Sequence, residues 1–261
     1  MSTRPNFFIL IPVLNEAGNI PRLSNSLSAL NQEFSKRFEL RVILVDDGST
    51  DQTSELAKKA AAESGFALDI LRHETNLGPG KAFSTGFSHL APILHENDLV
   101  MTIEGDNTSR LELVKQMLHR LEEGFDVIFA SPYMYGGQIV NTSTFRVFLS
   151  AIANLFVKES LGLHGLFTVS SFFRLYKSKT LKALQRYYGN GVVERAGFEC
   201  MVEMAMKMVF AQTSISEVPM VLDTKARVGK SRMNIMRTIR GYLTLWFYKK
   251  KWQKQSEARH E

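Results

Sequence analysis

The segment "LRVILVDDGSTDQTSELAKKAAAES" (residues 40–64) decides the fold class, because it joins a strand pattern directly to a helix pattern. Residues 40–47 are a short apolar run that ends in two aspartates, and residues 51–64 have the composition of a helix. The same order of strand, polar turn and helix recurs through the first half of the chain. It predicts βαβ units and therefore an α/β fold with a mainly parallel central sheet flanked by helices.

The other elements follow from the same reasoning. In the first half, strands are predicted at 7–13, 67–73, 98–103 and 125–131, and helices at 17–30, 80–90 and 111–122. The second half is less regular, with helices predicted at 143–160 and 194–210, strands at 171–178 and 215–222, and a loop from 229 that continues as a helix to 255. We expect a catalytic domain over residues 1–223, followed by a basic loop and amphipathic C-terminal helix over 224–261.

Polar groups follow three of the predicted strands. These are Asn15–Glu16, Asp46–Asp47 and Glu104–Asp106. In parallel sheets ligands bind beyond the carboxyl ends of the strands, so we expect the three pieces to lie at one edge.

The segment "EGD" (104–106) is the candidate metal site. Mg²⁺ and Mn²⁺ take hard oxygen ligands, and one or two carboxylates with substrate phosphates and water suffice, so Glu104 and Asp106 are predicted ligands. Gly105 would let a diphosphate approach closely. The alternative is a polar strand end that prepares the cap of the helix near Leu111.

A phosphate-binding loop of the G-x-x-x-x-G-K-[ST] type is absent from the sequence. Carboxylates after the second strand, Asp46 and Asp47, suit the base or ribose of a nucleotide, whereas they would repel its phosphates. The alternative is a turn and helix cap. In "NLGPGKAFSTG" (76–86), backbone N–H groups and Lys81 could hold an anion, and the alternative is a plain loop.

Composition narrows the class of protein. The 261 residues are 44% hydrophobic and 22% charged, as in ordinary globular proteins, and the single cysteine excludes an internal disulfide and fits a reducing, cytoplasmic compartment. The N-terminus lacks a cleavage-site pattern, so we expect it to begin the first strand. Two apolar runs without a charged residue, 147–157 and 160–173, are shorter than the roughly 20 residues of a spanning helix.

Positive charge is concentrated at the C-terminus. Residues 224–261 contain eleven Lys or Arg and two Glu, a net charge of +9 against +6 for the whole chain. A helical stripe of Ile235, Ile239, Tyr242 or Leu243, and Trp246 leads into "WFYKKKW". This pattern is typical of a helix at a membrane interface, and the alternative is a helix packed on the domain with a solvated basic end.

Four motifs in this order resemble glycosyltransferase family 2: "IPVLNEAGNI", "VDDGSTDQT", "NLGPGKAFSTG" and the "EGD" strand end. The resemblance covers roughly residues 6 to 248 and implies the GT-A fold and an inverting transfer from a nucleotide-diphosphate sugar, UDP- or GDP-linked. The second half is most similar to the dolichol-phosphate mannosyltransferase branch, whose acceptor is a polyprenyl phosphate. There, "ASPYMYGG", "FRVFLSAIAN" and "GKSRMN" match that branch's motifs.

The resemblance also implies roles for individual residues. The nucleotide pocket would be lined by Pro12, Leu14, Glu16, Val45 and Asp47. Glu104 and Asp106 would hold the metal, and the donor or acceptor phosphates would face Arg146, Arg227 and Arg232, with Lys230 adding charge.

Two positions depart from the family pattern. Glu104 replaces the first Asp of Asp-x-Asp, and Pro132 stands where the branch has an Arg thought to grip the acceptor phosphate.

The acceptor determines which catalytic groups are needed. An ionised phosphate acceptor needs no general base, whereas a sugar or lipid hydroxyl does. Glu199 and Glu203, one helical turn apart, are the candidates for that base, and the alternative is a structural pair. Two other functions remain open: a family member that acts on a carbohydrate or other hydroxyl, and a nucleic-acid-binding protein suggested by a pI near 9.4. We favour the lipid-phosphate transferase, at the cytoplasmic face of a membrane and without a nucleic-acid partner.

Overall fold

In the described part of the chain, the seven predicted strands form one large sheet, and a strand that was not predicted contributes to a second, two-stranded sheet. The computed structural model describes residues 4–229 and 235–258, the side chains of residues 235–237 excepted. The strands are β1 Asn6–Val13, β2 Glu39–Asp46, β3 Ala67–Arg72, β4 Leu99–Thr102, β5 Val127–Ser131, β6 Gln138–Val140, β7 Arg174–Lys177, β8 Ile215–Pro219 and β9 Val221–Asp223. The α-helices are α1 Ile20–Phe34, α2 Thr53–Ser64, α3 Pro79–Leu90, α4 Val114–Glu122, α5 Thr144–Leu161, α6 Ser178–Tyr188, α7 Cys200–Phe210 and α8 Ile235–Glu257.

The sheet is mainly parallel, as predicted. Its strand order is β3-β2-β1-β4-β7-β5-β8, and β7 alone among them pairs antiparallel with both neighbours. β6 and β9 form the separate parallel pair. The predicted strand at 215–222 is two strands, divided at Met220. The Met220 N–H donates to Ser131 O of the large sheet, and its carbonyl accepts from Gln138 N of the small one.

Helices cover both faces of the large sheet. β1 shows why, because Phe8 and Leu10 point into one core cluster while Phe7, Ile9 and Ile11 point into the other. Strands of a parallel sheet are buried on both faces and so appear as continuous apolar runs. Apolar residues of α1, α2 and α4 fill one side, and those of α3, α6, α7 and α8 fill the other.

α8 is packed on this core. Leu245 and Trp252 are fully buried, and Ser256 Oγ donates to Phe210 O of α7 at 2.8 Å. The boundary at residue 223 stays a prediction, but the helix beyond it shares the core of the preceding residues. Across 4–229 and 235–258, no helix combines the length and apolarity needed to cross a bilayer.

Candidate functional site

Three polar strand ends meet at the carboxyl edge of the large sheet. Val13 pairs with Asp46 in the β1–β2 register, and the Asp47 N–H donates to Val13 O at 2.9 Å. Gly105, just beyond β4, lies so close to β1 that an added Cβ would stand 2.7 Å from Val13 Cγ1 and 3.7 Å from Glu16 Cγ. The structure therefore gives Gly105 a packing reason to be glycine, alongside its predicted role near a diphosphate.

Glu104 and Asp106 project from this edge with hydroxyl donors around them. Ser109 Oγ donates to Glu104 Oε2 at 3.0 Å, and Thr108 donates to Asp106 Oδ1 from its Oγ1 at 2.6 Å and from its backbone N at 3.1 Å. Burial, and next the charge of Asp106, raise the pKa of Glu104 to about 7. The charge of Asp106 beside the Glu104 carboxyl makes this point of the edge an electrostatic environment that favours a cation.

Arg227 supplies the positive charge at this point. Its Nη2 lies 3.2 Å from Asp106 Oδ2, and both side chains are largely buried. Asn19 anchors the segment that carries Arg227: the Val228 N–H donates to Asn19 Oδ1 at 2.8 Å, and Asn19 Nδ2 donates to Val228 O at 3.3 Å. Arg22 Nη1 donates to Ala226 O at 3.3 Å. A strap, defined as residues 224–229, thus crosses the candidate metal site.

The two aspartates after β2 have different surroundings. Asp46 is fully buried and accepts from Ser49 N and Ser54 Oγ at 2.7 and 2.5 Å, which orders the turn into α2. Asp47 accepts from Leu77 N at 2.9 Å and Gly78 N at 2.8 Å. Asp47 therefore binds the predicted anion loop, 76–86, to the carboxyl edge of the sheet, and its contact with a nucleotide stays a prediction.

His73 completes this arrangement and was not singled out from the sequence. Its Nδ1 lies 2.7 Å from Asp47 Oδ1 and its Nε2 lies 2.9 Å from Thr85 Oγ1, so the ring bridges β2 and α3. Asn19 was missed as well, although it is 1% exposed and also donates to Glu16 Oε2 at 2.5 Å. A histidine just after a strand and an asparagine in the "NEAGN" turn were the available signals.

The two candidate bases lie at the start of α7, with Glu199 as the N-cap and Glu203 in the first turn. Glu203 is fully buried and accepts from the N–H groups of Glu194 and Arg195, each at 2.8 Å, while Lys207 Nζ lies 2.5 Å from Glu203 Oε1. Glu199 is 7% exposed and lies 3.8 Å from Arg195 Nε. The contacts of Glu203 favour the structural alternative, and a role in catalysis stays a prediction for both residues.

The remaining predicted residues differ in accessibility. Pro12, Leu14 and Glu16 are half-buried at the end of β1, whereas Val45 is fully buried in the core, which leaves only its backbone near the edge. The exposed predicted residues are Lys81, in the first turn of α3, and Arg146, in the first turn of α5. Lys230 and Arg232 lie outside the described residues.

The donor set at the edge fits a hard divalent cation. Within the described ranges, no group of three or more His, Cys, Asp or Glu is arranged to hold a metal. Glu104 and Asp106 supply two carboxylates at a point that already attracts a guanidinium. Mg²⁺ and Mn²⁺ are commonly held by one or two carboxylates together with substrate phosphates, so the residues present fit such an ion.

The model of glycosyl transferase family 2 matches residues 8–185, more than half of the chain, and the chain belongs to that family. This confirms the resemblance drawn from the motifs.

Curated relatives belong to the polyprenyl-phosphate branch. They include the undecaprenyl-phosphate 4-deoxy-4-formamido-L-arabinose transferases of Salmonella paratyphi A and Salmonella dublin, each 27% identical over 231 residues. The match covers 88% of this chain and 63% of each relative, so the chain spans less than two thirds of their length.

Solved structures share the GT-A fold and confirm the predicted fold class. TarS from S. aureus in complex with UDP-GlcNAc superposes with a TM-score of 0.61 at 20% identity, over 92% of this chain and 65% of that one. A mannosyltransferase from Pyrobaculum calidifontis in complex with GDP-Man and Mn²⁺ gives 0.53 at 14% identity, over 98% and 74%. A mycobacterial protein gives 0.63 at 14% identity, over 94% and 74%.

Proposed function

We propose that the chain is a metal-dependent, inverting glycosyltransferase that moves a sugar from a nucleotide-diphosphate donor to a polyprenyl-phosphate-type lipid. The observation that carries the proposal is the carboxyl edge of the sheet, where Gly105, between Glu104 and Asp106, lies close to Glu16, and Asp106 pairs with Arg227 of the strap. The Salmonella relatives are named as undecaprenyl-phosphate transferases, and this supports a polyprenyl phosphate as the acceptor class. The Mn²⁺ bound with GDP-Man in the Pyrobaculum mannosyltransferase supports the cofactor class, Mg²⁺ or Mn²⁺.

The donor would bind at the carboxyl edge. Pro12, Leu14, Glu16, Val45 and Asp47 would surround its nucleoside, with Lys81 and Gly105 towards its phosphates. A divalent ion held by Asp106 and Glu104 would offset the charge that develops on the leaving nucleoside diphosphate. Arg227, which pairs with Asp106 in the structure, is positioned to bind a diphosphate oxygen through its guanidinium.

The acceptor phosphate removes the need for a base. The second pKa of a phosphate monoester is about 6, so its oxygen is already ionised near neutral pH and can attack the anomeric carbon from the face opposite the leaving group. Arg146, Lys230 and Arg232 would face this phosphate and compensate for Pro132.

A hydroxyl acceptor is the second candidate. It would need a general base, and Glu199 or Glu203 would have to provide it. Glu203 is fully buried and is already bonded to Glu194, Arg195 and Lys207, which argues against Glu203 as the base. The structure thus lends more support to the phosphate acceptor.

α8 would bring the enzyme to the cytoplasmic face of a membrane. Its Leu243, Trp246 and Phe247 are at least half exposed, while Leu245 and Trp252 anchor the opposite side in the core. Lys249, Lys250 and Lys251 follow directly, and aromatic residues beside lysines favour an anionic lipid interface.

A panel of nucleotide sugars tests the proposal. We expect nucleoside diphosphate release with a polyprenyl phosphate and Mn²⁺ or Mg²⁺, and loss of release with a chelator. Transfer to sugar hydroxyls in place of lipid phosphate would overturn the acceptor class. Thermal stabilisation by oligonucleotides in place of metal and UDP or GDP would overturn the enzyme itself in favour of nucleic-acid binding.

Arg227→Ala should separate metal binding from donor binding. Without the guanidinium, Asp106 loses its counter-ion, so we expect Mn²⁺ alone to bind roughly 3- to 10-fold more tightly, the scale of a partly exposed ion pair. The nucleoside diphosphate should bind the Mn²⁺-loaded variant more weakly, because a phosphate contact is lost. Calorimetry of both ligands gives the two affinities.

Arg110→Ala is the matched control, because it removes an exposed cation from the same region. An equal gain in Mn²⁺ affinity in this variant, or none in Arg227→Ala, would contradict a specific role for the Arg227–Asp106 pair.

A further inference from the structure

The apolar side of α5 faces solvent and its polar side faces the protein, which is the reverse of an ordinary surface helix. Of its eighteen residues, only Val157 and Leu161 are buried. Six large apolar side chains are each at least 47% exposed: Phe145, Phe148, Leu149, Ile152, Leu155 and Phe156. A surface helix of a globular protein normally turns such residues towards the core, so this exposure requires an explanation.

The exposed residues form one continuous face. Their spacing of three and four residues places them on one side of the helix. The opposite side carries Ser150 and Asn154, which bond to the protein: Ser150 Oγ lies 2.6 Å from Tyr133 Oη, and Asn154 Nδ2 donates to Phe167 O at 2.6 Å. The polar side of α5 is therefore fixed to the domain, and the apolar side faces outward.

This face continues onto α8. Trp246 Nε1 donates to Ser160 O near the end of α5 at 3.2 Å. Trp246 and the neighbouring Phe247 are 63% and 80% exposed, and Leu243, one turn before them, is also exposed. We call the apolar face of α5 together with Leu243, Trp246 and Phe247 the α5–α8 surface.

Positive charge borders the α5–α8 surface. Arg146 lies in the first turn of α5, Lys158 in its last turn, and Lys249 lies with its Nζ 3.3 Å from the place of a Cβ on Gly162. Glu159 is the one acidic residue in the sequence of α5, and it is paired with His164 at 2.9 Å. An apolar face bordered by cations complements a bilayer, whose acyl region is apolar and whose headgroups include anions.

We propose that the α5–α8 surface docks on an anionic lipid bilayer, with α5 as its main contact. The inference rests on the proposed function, because it explains how an acceptor confined to a membrane reaches the site. Tyr133, bonded to Ser150 of α5, lies two residues beyond the end of β5, so α5 is attached to the carboxyl edge of the sheet. Docking through α5 would hold that edge near the headgroups, where the phosphate of a lipid acceptor lies.

Vesicle flotation with the full chain tests the surface. We expect binding to vesicles of phosphatidylcholine and phosphatidylglycerol, and weaker binding to phosphatidylcholine alone. The double variant Phe148→Glu and Ile152→Glu should lower the ratio of bound to free protein at least tenfold, because two buried apolar contacts become two charges facing an anionic surface. Neither residue belongs to the proposed donor or metal site.

Val209→Glu is the control for an added glutamate, since it places one carboxylate at an apolar residue that is 38% exposed at the end of α7. It should float like the unmodified chain. Thermal unfolding and Mn²⁺ binding, which should be unchanged in all variants, report that the fold and the metal site are intact.

Three results would overturn the inference. The double variant could float as well as the unmodified chain, or the unmodified chain could fail to bind either vesicle. A concentration-dependent dimer that the double variant abolishes, without vesicle binding, would assign the surface to a second copy. Vesicle binding without sugar transfer by the unmodified chain would instead refute the proposed function and leave the docking surface standing.

Discussion

Asp106→Asn is expected to lower kcat/KM for sugar transfer about 10²- to 10³-fold, while the fold is retained. A metal that neutralises a leaving diphosphate contributes several kcal/mol to the transition state, and about 1.4 kcal/mol corresponds to each tenfold in rate. The asparagine Oδ1 can still accept from Thr108, which holds the turn after β4, but the amide cannot supply the charge that attracts a divalent ion.

The Mn²⁺ affinity of the free protein gives a readout independent of turnover, and it should fall together with kcat/KM. Asp69→Asn is the control, because Asp69 is a partly exposed carboxylate on β3 with a His89 contact at 3.6 Å. It should leave both quantities unchanged. Unaltered Mn²⁺ binding by Asp106→Asn would remove Asp106 from the metal site.

The variant Glu104→Asp restores the Asp-x-Asp pattern of the family, and the same Mn²⁺-binding and kcat/KM measurements apply to it. Ser109 Oγ reaches Glu104 Oε2 at 3.0 Å, and a side chain shorter by one methylene would lose that contact. The length of the Glu104 side chain is therefore matched to its neighbours on the 104–109 turn.

The sheet was largely predictable from the sequence because its strands carry strong local signals. β1, β2 and β5 are continuous apolar runs that end in polar residues, and each appears close to its predicted bounds. The direction of β7 was not predictable, because "SFFRLYKS" indicates a strand without indicating its neighbours. β6 has three residues and pairs with β9 more than 80 residues later, so it leaves little local pattern.

The candidate site also has a part that the sequence predicts and a part that it does not. The meeting of Glu16, Asp47 and Glu104–Asp106 at one edge follows from parallel topology, and the structure shows it. The pairing of Arg227 with Asp106 joins residues far apart in the sequence, and only the fold brings them together. A charge count could place basic residues near the C-terminus but could not choose the one that reaches the carboxylates.

The C-terminal helix carries apolar residues on two sides. The predicted stripe includes Ile239, Tyr242 or Leu243, and Trp246. Ile239, Leu243 and Trp246 are exposed, whereas Tyr242 is partly buried against the core. The side packed on the core instead contains Leu245 and Trp252, with Glu194 accepting from Trp252 Nε1 at 3.1 Å. Both interpretations left open by the sequence therefore have support: α8 is packed on the domain, and it presents aromatic residues outward.

Glu203→Gln is expected to destabilise the fold by about 3–5 kcal/mol, the cost of removing one partner from a buried ion pair. Lys207 is fully buried, with its Nζ 2.5 Å from Glu203 and 3.5 Å from Glu194, and it lies 4.6 Å from the Trp252 ring. Burial raises the pKa of Glu203 and lowers that of Lys207, and their mutual attraction opposes both shifts. Without the carboxylate, Lys207 retains the desolvation cost and loses most of the compensation.

The double variant Glu203→Gln and Lys207→Met should recover much of this loss, because the uncompensated charge is gone. Urea unfolding of the single and double variants measures the coupling. Glu63→Gln is the matched control: Lys59 and Glu63 are also separated by four residues, but they are exposed and 3.9 Å apart, so the change should stay within about 0.5 kcal/mol.

The same variant decides between the two roles proposed for Glu203. If the carboxylate is structural, kcat per folded molecule should survive in Glu203→Gln at temperatures below its lowered unfolding midpoint. If it is the general base, kcat should collapse while the free energy of unfolding stays near that of the unmodified chain. The two N–H donors and the ammonium already bound to Glu203 favour the first result, because a base must offer a lone pair to the acceptor.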